Sequence, residues 1–304
     1  MMAQTIARAG LLALGALAAA SSARAQDAKS SDTFDVVGRK PEEVRKEAQS
    51  FVKITGVAER PVARWIGPVC PVVLDSAPEI ARKIEARVRE IAKTAGARMA
   101  PLKCVANLKI VFAHSAQAVI RDVASRSPES FSDLNAERRA LMYGAVAPVR
   151  WWHTVQERTK DGMREVGSGG TPPPGMRLDA GGGTLNLGGA VHAQYRSSFL
   201  SSQMVRGIIS AKVIIDVKLA VGKPVESIAD YAALVGLAEI GLEDEAPENS
   251  VLGLFKPDGP SGLTSLDQNF LRTLYKLPLD RTAIAQRGLL IRGLVNGEAR
   301  KADR

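Results

Sequence analysis

A chain of 304 residues, 45% of them apolar, has enough material for one large domain or two small ones with a sizeable core. Its 41 Lys and Arg against 32 Asp and Glu give a formal charge of +9, with cations and anions interspersed. That pattern implies a solvated basic surface, with attraction to anionic envelope polymers or lipid headgroups as the functional alternative. Beyond the first 25 residues no segment is apolar enough to span a membrane, and two cysteines are too few ligands for a zinc site.

The chain opens with a charge at Arg8, an apolar run from Ala9 to Ala20, and Ala23-Arg24-Ala25. The run is shorter than the ~20 residues a bilayer requires, and the small residues suit signal peptidase. Residues 1–25 are therefore expected to be a signal peptide cleaved between Ala25 and Gln26, and the mature protein to be periplasmic or secreted. Residues 26–33 read as a flexible leader, with order starting near Phe34. Val44, Ala48, Phe51 and Val52 then recur at helical spacing after Pro41. Pro61 and Pro68 interrupt the chain around Arg64-Trp65-Ile66, and Val69 to Leu74 reads as a strand. The clearest helix spans Pro78 to Ala95, with Ser76 and Glu79 as its expected capping box, an Ile80, Ile84, Val88 and Ile91 stripe, and Gly96 as its stop.

Asn107 to Ala113 alternates as a second strand, and Ser115 caps a helix through Ala124. Cys70 and Cys104 are the only cysteines; in an exported chain an even pair implies a disulfide. Further on, a helix is expected from Asn135 to Tyr143 and a strand from Val149 to Val155, with Lys160-Asp161-Gly162 offering hairpin turn chemistry. Residues 167–189 form a Gly/Pro-rich loop. Ser210 to Val217 is a β-branched strand, separated by Gly222-Lys223-Pro224 from a helix reaching about Ile240. After the acidic Glu243-Asp244-Glu245, Thr264 and Asp267 cap a helix carrying Leu266, Phe270, Leu271, Leu274 and Tyr275. Asp280 is the expected cap of a last helix with Ile284, Ile291 and Leu294 inward, before a polar tail at 297–304. These elements predict an α+β fold: a mixed sheet with packed helices and a helical C-terminal part, in one domain over 34–296.

No complete catalytic motif is present. Gly183 to Gly188 has the glycine spacing of a phosphate loop, but Gly189 and Ala190 stand where Lys and Ser or Thr are needed, so no nucleotide is expected. Neither Ser168 nor Ser261 completes a nucleophile elbow. His114, His153 and His192 lack metal-ligand spacing, and the carboxylates from Glu243 to Glu248 lack the ligand order of a calcium loop. Trp65, Trp151 and Trp152 could stack on a planar ligand, although core packing is the ordinary role. No catalytic residue, metal or cofactor is assigned.

Arg64-Trp65, the helix after it, Asn107-Leu108-Lys109-Ile110-Val111-Phe112, and Leu263-Thr264-Ser265-Leu266-Asp267 through Phe270-Leu271-Arg272-Thr273-Leu274-Tyr275 together resemble a group of secreted alphaproteobacterial proteins, common in sphingomonads. That group is distantly similar to zincin-type metallopeptidases. The resemblance implies a zincin-like fold in which the helix before the terminal helices would carry H-E-x-x-H. Here that helix reads Ile228 to Val235, with Asp230 and Leu234 one turn apart and no histidine. The expectation is a degenerate, non-catalytic binding or scaffolding domain of the cell envelope, its partner a protein or an anionic polymer. Two alternatives stand beside it: an exported hydrolase using carboxylates such as Asp230 or Glu239, and a cationic binder of anionic envelope material.

Overall fold

The structure, a computed structural model, describes residues 41–144, 146–159, 178–180, 183–185, 204–241 and 246–302. The expected cleavage site at Ala25 and Gln26, the leader, the 160–162 turn, His192 and Glu243 to Glu245 lie outside these residues. The elements are α1 (Pro41–Ile54), β1 (Arg64–Trp65), β2 (Pro71–Leu74), α2 (Pro78–Ala95), β3 (Leu108–Ala113), α3 (Ala116–Arg126), α4 (Ala136–Gly144), β4 (Val149–Thr159), β5 (Leu178–Ala180), β6 (Gly183–Leu185), β7 (Met204–Asp216), α5 (Val225–Leu237), α6 (Ser265–Lys276) and α7 (Ala283–Ala302), with 3-10 turns at Pro128–Phe131 and Val251–Gly253.

The α+β class holds. β7 is the hub of a five-stranded mixed sheet. β4 runs antiparallel along its length, from Val149 opposite Ile215 to Thr159 opposite Met204. On its other side β7 pairs in parallel first with β1, through Gly207 and Ile208, and then with β3, from Ala211 to Asp216. β2 adds outside β3 in parallel. β5 and β6 form a separate antiparallel pair inside the segment expected to be loop, and β7 begins six residues before the expected Ser210.

Side chains alternate across a strand, so β4 serves two cores. Trp151 joins the large core with α1, α2, α5, α6 and α7, its ring 5.9 Å from that of Tyr231. Trp152 points the other way, 5.0 Å from Phe131, among Ala116, Ile120, Met142 and Ile214 beneath α3 and α4. Every residue of α5 from Ser227 to Leu237 is buried, as befits a helix apolar on all sides. No helix among the described residues is long and apolar enough to cross a membrane.

Helix ends follow local chemistry, with two corrections. The Ser76–Glu79 capping box does not form: Ala77 precedes the helix without a side-chain cap, because Pro78 in the first turn has no N–H to satisfy and presets φ. Asp280 does not cap α7; Thr282 does, accepting the Ala285 N–H at 3.4 Å, and Ile284 is 84% exposed while Leu290 and Leu294 are buried. α7 continues through most of the expected tail, to Ala302. The Thr264–Asp267 box is present, and Asp267 also accepts from Ser250 Oγ at 2.6 Å and Val251 N at 2.8 Å. Gly96 ends α2 at φ 94°, where a side chain would be strained. Cys70 and Cys104 are joined with Cα atoms 6.0 Å apart, tying the entry of β2 to the approach to β3.

Candidate functional site

Hydrogen-bond parity on β4 defines an open edge. Asp216 N donates to Pro148 O at 2.8 Å, so the main chain at 148 faces β7; Val155 N donates to Asp133 Oδ2 at 3.3 Å, so the main chain at 155 faces away. Alternation then turns the peptide groups of Trp151, His153, Val155 and Glu157 outward. Among the described residues no strand pairs with this edge. A cleft of about 230 Å³ is lined by Trp151, His153, Val155 and Glu157 of this strand together with Asp133, Arg138, Arg60, Arg206 and Glu239.

Arg60, Arg206 and Glu239 form an ion-pair cluster in this lining. Glu239, just past α5, receives Arg206 in a forked pair, Nη1 to Oε2 at 2.7 Å and Nη2 to Oε1 at 3.0 Å. Arg60 Nη2 adds a bond to Oε1 at 2.9 Å, and Ala63 N one to Oε2 at 3.3 Å. Arg206 also donates to Pro61 O at 2.7 Å and lies 3.5 Å from Glu157. Burial alone would raise the Glu239 pKa; the hydrogen bonds and charges of Arg206 and Arg60 override it and hold the carboxyl below its usual range. Fork geometry makes this a strong, rigid arrangement.

His153 lies beside it, 7% exposed, its Nε2–H donating to Val235 O at 2.7 Å. That bond fixes the neutral tautomer and leaves Nδ1 without a hydrogen-bond partner among the described residues. Burial lowers its pKa; Glu239 and the Val235 carbonyl oppose this, while Arg138 and Lys212 reinforce it. The sign follows: a folded-state value below about 6.5 means the unfolded chain takes the proton more readily. Stability from this group is complete above about pH 6.5 and is lost as pH falls. Urea midpoints of the wild type should therefore drop between pH 7 and 5 more steeply than those of His153→Gln; equal slopes would show that His153 is not the group responsible.

The remaining candidates take structural places. Asp230 is 5% exposed and is held by Arg87, with Nε to Oδ1 at 2.6 Å and Nη2 to Oδ2 at 3.3 Å, and by Leu263 N at 2.7 Å, so it joins α2, α5 and the approach to α6. Trp65 and Trp151 donate their indole N–H groups to Gly236 O and Ile240 O. Trp152 is buried with Lys212 Nζ 5.7 Å from its ring. His114 is exposed beyond β3. Among the described residues no group of three His, Cys, Asp or Glu could hold a metal. The structure brings together His153 and Glu239; Asp230 belongs to a different ion pair. The partners Arg60 and Arg206 were not singled out in the sequence, since 146 positions separate them and no short spacing marks them.

Comparison with known proteins finds no matching family model, no matching curated protein and no matching solved structure.

Proposed function

We propose that this is an extracytoplasmic, non-catalytic binding domain, a degenerate relative of peptidase-like folds, that takes an extended segment of a protein partner along the outer edge of β4. The observation that carries it is the row of outward peptide groups from Trp151 to Glu157 facing a cleft. An extended chain is what such an edge binds: its main chain supplies the hydrogen bonds and alternate side chains supply selectivity. The hydrolase alternative needs a carboxylate free to move protons, whereas both oxygens of Asp230 and of Glu239 are taken by guanidinium and amide donors. Export is supported by the signal-peptide pattern and the disulfide.

The test uses decapeptides selected from a random displayed library. A bound peptide should slow hydrogen exchange at the amides of Trp151, His153 and Glu157. Glu157→Pro, which removes an edge donor at an exposed position, should weaken binding roughly tenfold. Protection confined to another surface, or cleavage of the peptides above the buffer rate, would overturn the proposal.

A further inference from the structure

The basic balance of the chain is concentrated at one end. From Ser265 to Arg304 the sequence has eight Lys and Arg against four Asp and Glu. Of those acids, Asp267 is buried in its capping box and Asp280 lies 3.9 Å from Arg281. The α6–α7 pair exposes Arg272, Lys276, Arg287 and Arg292, and its surface is grooved, with Glu298 the one acid in the groove lining.

The groove has a volume of about 760 Å³ and follows one face of α6 through Ser265, Gln268, Asn269, Arg272, Thr273 and Lys276, a stretch of about 18 Å. Its α7 wall includes Gly293 and Gly297, where the backbone approaches closely enough that a Cβ would stand 2.3 Å from Thr273 Cγ2 and within 2.0 Å of Asn269 Nδ2. Arg272 and Lys276 are exposed; Arg272 donates to Gln268 Oε1 at 3.0 Å, and Lys276 has no partner among the described residues. Arg287 and Arg292 are exposed on α7.

We infer that this groove binds a linear acidic polysaccharide. The lining supports this occupant: the hydroxyl, amide and cationic groups along α6 suit a chain of hydroxyls and carboxylates, Leu277, Pro278 and Leu289 offer apolar surface to the faces of its sugar rings, and Glu298 is the one carboxylate among them. Charge complementarity supplies the attraction, and two cations one turn apart can meet successive acidic groups. The site is separate from the β4 edge and does not depend on it.

The experiment is titration calorimetry of the full chain with polygalacturonate fragments, in parallel with neutral dextran and polyglutamate. The Arg272→Gln/Lys276→Gln variant should bind the polyuronate at least about tenfold more weakly, and added salt should weaken wild-type binding. Arg82→Gln/Lys83→Gln, the same charge change on the exposed face of α2, should shift it less than about twofold. Equal losses in the two variants would overturn the groove in favour of diffuse charge attraction. Absence of polyuronate binding, or polyglutamate binding as tight, would overturn the polysaccharide assignment. Because both variants alter only exposed side chains, unchanged urea midpoints establish that each is folded.

Discussion

Glu239→Ala is expected to destabilise the fold by about 3–5 kcal/mol, because it leaves the Arg206 guanidinium, 5% exposed, without its carboxylate. Arg60 contributes less to this figure, since it is 41% exposed and water already solvates it. The cost is that of an uncompensated buried charge and does not measure the net worth of the pair. Removing both charges in Glu239→Leu/Arg206→Met should therefore recover most of the loss. Urea unfolding at neutral pH distinguishes the outcomes; a single-variant loss below about 1 kcal/mol would mean that water reaches Arg206. Acid should reproduce the effect in the wild type. With the folded-state pKa of Glu239 depressed, its contribution is complete above the ordinary carboxylate value of 4.5 and is lost as pH falls through the lower, folded-state value.

Opening the Cys70–Cys104 bond should cost roughly 3–4 kcal/mol. The two residues are 34 positions apart, and in the chain-entropy model a crosslink of that span removes this much freedom from the unfolded state. The double variant Cys70→Ser/Cys104→Ser is the cleaner test, because it leaves no thiols to react. Little native contact is lost with the bridge: the N–H of residue 70 still donates to Asn107 Oδ1 at 2.7 Å, and Val69 still exchanges bonds with Arg98 and Ala100. The native site should therefore persist, with the loss seen in the unfolding midpoint. An unchanged midpoint would show that the unfolded chain is already restrained there.

Much of the architecture is legible in the chain itself. α2 shows because its apolar residues recur at helical spacing and Gly96 supplies a left-handed stop; α6 shows because Thr264 and Asp267 stand three apart before an apolar run. Misreadings arose where two local signals competed. Ser76 and Glu79 have capping-box spacing, but Pro78 starts the helix without it, and Ile284, seven residues before Ile291, reads as part of the apolar stripe yet lies exposed in the first turn of α7, whose buried side carries Leu290 and Leu294. The cleft was less legible for a different reason. Arg60, His153, Arg206 and Glu239 are far apart in the chain and meet only because β4 and β7 lie side by side and α5 ends above them. Sequence spacing carries no trace of such a meeting: the fold brings Arg87 and the Leu263 N–H to Asp230, but Arg206, Arg60 and the Ala63 N–H to Glu239.

β7 has a kinetic consequence that follows from its position in the chain. It is the strand to which β1, β3 and β4 all attach, yet it begins at Met204, after every one of them. A chain growing from its N-terminus can join β2 to β3 early, but β1 and β4 have no seat in the sheet until β7 arrives. Those pairings close long loops before they return any stabilisation, the pattern that makes folding slow. Until β7 is available, the tryptophans of β4 lack the strand that holds them between two cores, so the interval before closure is when this chain is most exposed to aggregation.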